Sequence, residues 1–324
     1  MQASDHYAPS GEEIALNLMT EFGLLNLVMS KPWGISLTVV ALLTVGTGTP
    51  ASHAAVGDVY VGEDNGTIER FQADGTGRST FASGLGEVTA LAFDHSGDLF
   101  AACGSIIYKF DQEGHRTTFS AGFLAPFYGF GVDSSGNLYG ASRPGGATSS
   151  EILRFAHDGS YSVLDSGYLF TYGLQFDSSD NLYVVGATNP SVRLFKYPPG
   201  GSRTTFGMGY PRGTLAIDSS GDVFLASYAN IFKYTPDGTR TSFSLNANAV
   251  FSSLAFDGNG VLFAADSANN QIWELAQDGT GTTFIAGLSG SPESMAILVP
   301  EPSPMTLLVF GGVASGLIRR KGQS

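Results

Sequence analysis

The chain has 324 residues, of which 43% are hydrophobic, 14% are charged and 43 are glycine. So much glycine with so little charge excludes a long-helix protein and points to many tight turns. The formal charge is −13, and residues 55–300 hold 24 Asp and Glu against 12 Lys and Arg; an acidic body of that kind repels phosphate backbones and excludes nucleic acid as a partner.

Near the N-terminus, ISLTVVALLTV (35–45) is an apolar run of 11 residues. It is too short for a bilayer span, which takes about 20 residues, and has the length of a signal-peptide core. Met29 and Lys31 precede it with a positive start, and Ser52-His53-Ala54 sets small residues for cleavage after Ala54. Residues 1–28 hold Asp5, Glu12, Glu13 and Glu21 and no Lys or Arg, the wrong sign for a signal. Translation is therefore expected to start at Met29, or residues 1–28 form an extension that is cleaved. The first segment is 1–54, extension and signal peptide.

The next segment, 55–299, is a repeat. LAFDHSGDLFAA (91–102), FGVDSSGNLYGA (130–141), LQFDSSDNLYVV (174–185), LAIDSSGDVFLA (215–226) and LAFDGNGVLFAA (254–265) carry one phrase, with the shared Asp at 94, 133, 177, 218 and 257. A period of 39 to 44 residues made of strands is the pattern of propeller blades. Each period reads as four strands. An apolar strand runs into the Asp, and a turn follows in which Asp and Ser hydrogen-bond local backbone and Gly takes positive φ. An LFAA-type strand comes next, then a strand such as IYKF or IFKY that alternates as a half-exposed strand does. After a second, Gly-containing turn comes a Thr/Ser-rich edge strand. Residues 57–82 supply strands two to four without strand one, and SMAIL (294–298) matches strand one and stops. Pairing the two ends gives a sixth blade and removes the open edge. The expectation is an all-β, six-bladed propeller of four-stranded blades, closed by the N- and C-terminal strands.

The phrase and its turns resemble the NHL-repeat and SMP-30/gluconolactonase-like six-bladed propellers over about residues 57–298. The resemblance is to the repeat grammar; it implies the fold and leaves the activity open.

The last segment, 300–324, follows. Pro300-Glu301-Pro302, the apolar stretch MTLLVFGGVASGLI (305–318) and the basic Arg319-Arg320-Lys321 occur in that order. This resembles the PEP-CTERM sorting signal of bacteria. The resemblance implies a short hydrophobic helix that pauses the exported chain at the inner membrane with its basic end in the cytoplasm. It also implies a processing enzyme of the exosortase type as partner and delivery to the outer envelope or the medium.

Chemistry-bearing residues are sparse. Cys103 is the single cysteine, has no histidine paired with it in the sequence, and reads as a small buried hydrophobe. His95, His115 and His157 sit in or beside turns without zinc spacing, and no Gly-x-Ser-x-Gly elbow or phosphate-binding loop occurs. The repeated Asp reads as a turn device, because an apolar strand follows at once where a calcium loop would need further ligands. One place breaks the repetition: the residue five before each Asp, where strand one begins at the central funnel. Tyr128, Tyr172 and Glu293 stand there, with Glu87 and Arg212 just upstream. These five are the candidate ligand-binding residues, a mixture suited to a sugar or small polar ligand. No catalytic residue, metal ligand or cofactor is assigned. The favoured expectation is a non-catalytic exported propeller that binds polysaccharide or protein. The alternative is an enzyme resembling the gluconolactonase or streptogramin-lyase propellers, with a divalent cation at the axis.

Overall fold

The structure is a computed structural model, and it describes the backbone of residues 14–20 and 23–29 together with residues 55–299 other than 146, 148, 190, 211, 212 and 247. The N-terminal unit contains an antiparallel hairpin, β1 (Ile14–Thr20) with β2 (Gly23–Met29), in register from Ile14 opposite Met29 to Thr20 opposite Gly23. The signal-peptide core at 35–45 and the sorting segment at 300–324 lie outside the described residues. Among the described residues no helix is long and apolar enough to cross a membrane.

Residues 55–299 fold into six four-stranded antiparallel sheets. In chain order the first complete blade is β6 (Val88–Phe93), β7 (Leu99–Cys103), β8 (Ile106–Phe110) and β9 (Arg116–Ala121). The next is β10 (Phe130–Val132), β11 (Leu138–Ser142), β12 (Ser150–Phe155) and β13 (Tyr161–Tyr168). It is followed by β14 (Phe170–Phe176), β15 (Leu182–Thr188), β16 (Ser191–Tyr197) and β17 (Thr204–Met208). Then come β18 (Thr214–Ile217), β19 (Val223–Ser227), β20 (Asn230–Tyr234) and β21 (Arg240–Leu245). The last complete blade is β22 (Phe251–Phe256), β23 (Leu262–Asp266), β24 (Gln271–Leu275) and β25 (Gly281–Ile285). The sixth is composite: β26 (Pro292–Ile297) pairs with β3 (Val59–Glu63), which continues to β4 (Ile68–Phe71) and β5 (Ser79–Ala82). The first strands adjoin in a ring, β6 to β10 to β14 to β18 to β22 to β26 and back to β6. The expected six blades and their closure are both present.

Burial explains the strand sequences. The second strand of a blade lies between neighbouring blades, so both faces are covered and runs such as Leu99–Cys103 and Val223–Ser227 are buried throughout. The fourth strand is the rim, and sequences such as RTTFSA are mostly exposed. Thr and Ser suit that position because their hydroxyls tolerate water while their β-branching or small size suits a strand.

The turn after strand one is built by its aspartate. In all five complete blades Oδ1 accepts the backbone N–H groups two and four residues on, as Asp94 does from Ser96 and Asp98, both at 2.9 Å, and Asp177 from Ser179 and Asn181, both at 2.9 Å. Four of these turns hold Gly at φ 78–83°, while the β14–β15 turn holds Asp180 at φ 58°. A left-handed non-glycine residue costs about 1 kcal/mol. Asp180 offsets this through its carboxylate, which accepts the backbone N–H (2.8 Å) and hydroxyl (2.5 Å) of Ser134 on the adjacent blade. In the composite blade Leu298 occupies the aspartate position; its N–H donates to Asp58 O at 3.1 Å, the bond that Asp94 N–H makes to Asp98 O. The two chain ends thus reproduce one turn.

A second device recurs. A cation on strand three lies over the aromatic ring opposite it on strand two: Arg70 over Tyr60, Lys109 over Phe100, Arg154 over Tyr139, Lys196 over Tyr183 and Lys233 over Phe224. Where the turn ends in Asp, that cation also pairs with it, Arg70 with Asp58 at 2.5 Å, Lys109 with Asp98 at 2.8 Å and Lys233 with Asp222 at 2.6 Å. Where it ends in Asn137 or Asn181, the amide turns back onto Asp133 or Asp177 instead. The blade with Val261 carries Glu274 in the cation's place, facing Phe263. The residues co-vary within one chain because an uncompensated half-buried charge is costly.

Candidate functional site at the narrow end of the axial channel

The six first strands surround an axial channel that opens at both faces. At the face of the aspartate turns the channel is wide, about 580 Å³, and is lined by Leu91, Phe93, Val132, Ile217, Phe256 and Met295 together with Asp94, Gln175, Asp218 and Asp257. Four of the polar groups at this mouth already have partners. Asp94, Asp218 and Asp257 hold their turns, and His95 Nε2 lies 2.7 Å from Asp133 O. A binding site needs polar groups that converge on open space, and these four serve the turns instead.

The opposite end, where the first strands begin, is narrow, about 70 Å³, and polar. It is lined by Thr89, Tyr128, Gly173, Thr214, Ser252 and Glu293 among others. Three of these residues sit on β-bulges. The ladder skips a residue between Val88 and Ala90, between Phe251 and Ser253, and between Pro292 and Ser294, leaving Thr89, Ser252 and Glu293 out of register. A bulge re-aims a side chain, and here it frees side chains from the alternation that would bury them between blades. Ser252 Oγ donates to Pro292 O at 2.5 Å and Glu293 accepts from Ser291 Oγ at 3.2 Å. Thr89 is buried and its hydroxyl has no hydrogen-bond partner among the described residues. Tyr128 is 53% exposed at the rim.

Of the five residues singled out from the sequence, Tyr128 and Glu293 line this end together. Tyr172 also sits on a bulge, between Thr171 and Gly173, but its half-buried ring packs against the core that includes Val185, Leu215 and Leu225. It borders a small crevice with Tyr128 rather than the channel itself. Glu87 is exposed and is not among the residues lining the channel. Arg212 lies outside the described residues. Thr89, Thr214 and Ser252 are the additions. Thr89 and Ser252 occupy the position that breaks the repeat, five before the aspartate, so their signal was present in the sequence.

A divalent cation at the axis would need about six to eight oxygen ligands, mostly carboxylate or carbonyl. The described residues of the narrow end offer one carboxylate, Glu293, with the amide of Gln175 and neutral hydroxyls, so such an ion would find little compensating charge there. Among the described residues, Asp111, Glu113 and His115 bring three ligand atoms within 4.8 Å of one another, but on the turn between β8 and β9 rather than at the axis.

No family model matches the chain, and no curated protein matches its sequence. Solved structures do match. A gluconolactonase from Xanthomonas campestris superposes with TM-score 0.57 at 12% identity, over 77% of this chain and 91% of that one. Virginiamycin B lyase from Staphylococcus aureus gives TM-score 0.55 at 15% identity, over 76% and 90%. TolB from Acinetobacter baumannii gives 0.61 at 16% identity, over 76% and 67%. Likeness at this level of identity establishes the propeller fold, and that fold carries both enzymes and other proteins.

Proposed function

We propose that residues 55–299 form a non-catalytic binding propeller that takes polysaccharide or protein of the cell envelope or matrix at the narrow end of its channel. One observation carries this reading. Around an otherwise repetitive ring, the polar and aromatic residues at the narrow end differ from blade to blade and comprise hydroxyls, one amide, one carboxylate and the exposed ring of Tyr128. Sugars are recognised by such a mixture, hydrogen bonds to hydroxyls and stacking on an aromatic face. The buried hydroxyl of Thr89 gives a bound group a polar atom to satisfy. Export by the signal peptide and retention through the 300–324 tail, cut by an exosortase-type enzyme, belong to the same proposal. Mass spectrometry of protein recovered from the envelope or medium should find a chain that begins near Ala55 and lacks residues 305–324. An intact basic end on the exported form would reject the sorting role.

The fold likeness to a gluconolactonase and a lyase supports a second reading, a propeller enzyme. One experiment separates the two. Protein is screened on a glycan array and in parallel for lactone hydrolysis and streptogramin cleavage with and without divalent ions. Glycan retention without turnover supports the binding reading, and ion-dependent turnover replaces it by the enzyme.

A further inference from the structure

The composite blade holds a second departure from the repeat. Glu63 ends β3 and is fully buried; Glu69 lies on β4 and is 4% exposed. Ser289, on the segment that leads into β26, touches both carboxylates: its Oγ is 2.5 Å from Glu63 Oε2 and 3.1 Å from Glu69 Oε1. A hydroxyl carries one proton and cannot donate to both at once. Glu63 also accepts from Ser289 N–H at 3.2 Å and Asn65 Nδ2 at 3.0 Å. Glu69 Oε1 takes Arg78 at 2.6 Å, whereas its Oε2 is buried with no partner among the described residues.

The neighbouring blade shows what these positions require. Asp266 ends β23 as Glu63 ends β3, and Trp273 faces Ala264 as Glu69 faces Val61. There the indole N–H donates to Asp266 at 3.0 Å, a matched donor and acceptor. In the other blades the position of Glu69 holds Tyr108, Leu153, Phe195 and Phe232. Only in the composite blade does an acceptor confront an acceptor. Among the described residues Arg78, whose side chain is 41% exposed, pairs with Glu69 alone, and Glu69 Oε2 keeps no hydrogen-bond partner beneath the surface. Burying a charge in that state is costly.

We propose that Glu63 and Glu69, with the hydroxyl of Ser289, bind an oxygen-seeking divalent cation of the calcium class. The two carboxylates and the hydroxyl present at most five oxygens, all hard, which favours calcium or magnesium over zinc and leaves solvent to complete the about six to eight that calcium takes. Arg78 and Asn65, which contact the pair, are themselves exposed. The ion ties β3 and β4, from the N-terminal part of the propeller, to the segment that delivers β26 from its C-terminal end. It therefore acts on ring closure and is independent of what the axial channel binds.

The test uses the full chain, stripped with EDTA and titrated with calcium chloride by calorimetry and thermal melting. One calcium should bind, and at about 100 times the dissociation constant the melting midpoint should rise by about 5 °C. Both effects should vanish in Glu69→Gln and Glu63→Gln, whose amides supply the missing donor, and persist in Asp111→Asn, which disables the exposed cluster at the β8–β9 turn. No heat and no shift in the wild type overturns the proposal. So does a response lost in Asp111→Asn but kept in Glu69→Gln, or stabilisation by acid alone with no response to calcium. If a variant does not fold, a wild-type crystal grown in calcium decides: an ion in contact with Glu63 and Glu69 supports the site, and only water there rejects it.

Discussion

Removing the strand that closes the ring should be far more damaging than removing the tail beyond it. Deleting 300–324 leaves β26 intact, whereas deleting 294–324 removes four of its six residues, Ser294 to Ile297. Met295 and Ile297 are 5% and 7% exposed and share a core with Val59, Val61, Phe71 and Phe263. Two such side chains contribute roughly 3–6 kcal/mol of apolar burial. Their loss also uncovers Val59 and Val61, now 1% and 0% exposed, and leaves the β3 edge unpaired. A domain is typically stable by about 5–15 kcal/mol, so the longer deletion should abolish most of that margin. Urea denaturation followed by tryptophan fluorescence, with light scattering to detect association, measures both truncations. The 1–299 chain should unfold cooperatively at the full-length midpoint, and the 1–293 chain should unfold early or aggregate. Equal midpoints would refute the closure.

Three further outcomes follow from individual groups. Burial pushes the Asp266 carboxyl up, but donors from Val250 N–H, Asn269, Trp273 and Gln271 outweigh it and hold the acid below its ordinary 3.8. Its contribution is therefore full above pH 3.8 and lost as pH falls through the lowered value; Asp266→Ala should cost about 3 kcal/mol at pH 7 and flatten the acid limb of a stability profile. Burial raises the Cys103 thiol to about 12, so the native protein should resist a thiol reagent at pH 8 and react only on unfolding, as stopped-flow labelling in denaturant would show. Tyr172→Ala should lower stability by about 1–3 kcal/mol in a melting curve, because the ring packs against a blade core; unchanged stability would contradict its placement.

The blade count and the closure were legible because the turn after strand one demands particular chemistry. An Asp whose oxygen spans two backbone N–H groups, and a Gly at positive φ, recur at nearly constant spacing, and the phrase can be counted. The unpaired fragments at 57–82 and 294–298 then had only each other. The bulges were not legible, because a bulge is a relation between two strands and the repeat phrase looks the same with or without one. Counting back five residues found Tyr128 and Glu293 at the channel, yet at the β14 and β18 blades the lining residues are Gly173 and Thr214, one position later. The buried carboxylates did leave a trace. VYVGE and LFAAD end apolar strands in an acid, and IERF places Glu69 where the other blades carry Tyr108, Leu153, Phe195, Phe232 and Trp273.

The most direct test of the binding reading is a glycan array probed with wild type and Tyr128→Ala side by side. Tyr128 is exposed at the rim of the narrow end, so its removal should leave the fold unchanged. The account predicts that the wild type retains a defined set of glycans and that the variant loses about 5- to 150-fold in affinity, equivalent to about 1–3 kcal/mol. A variant that binds the same set equally well would contradict the site, and a wild type that retains no glycan would reject the polysaccharide as its ligand.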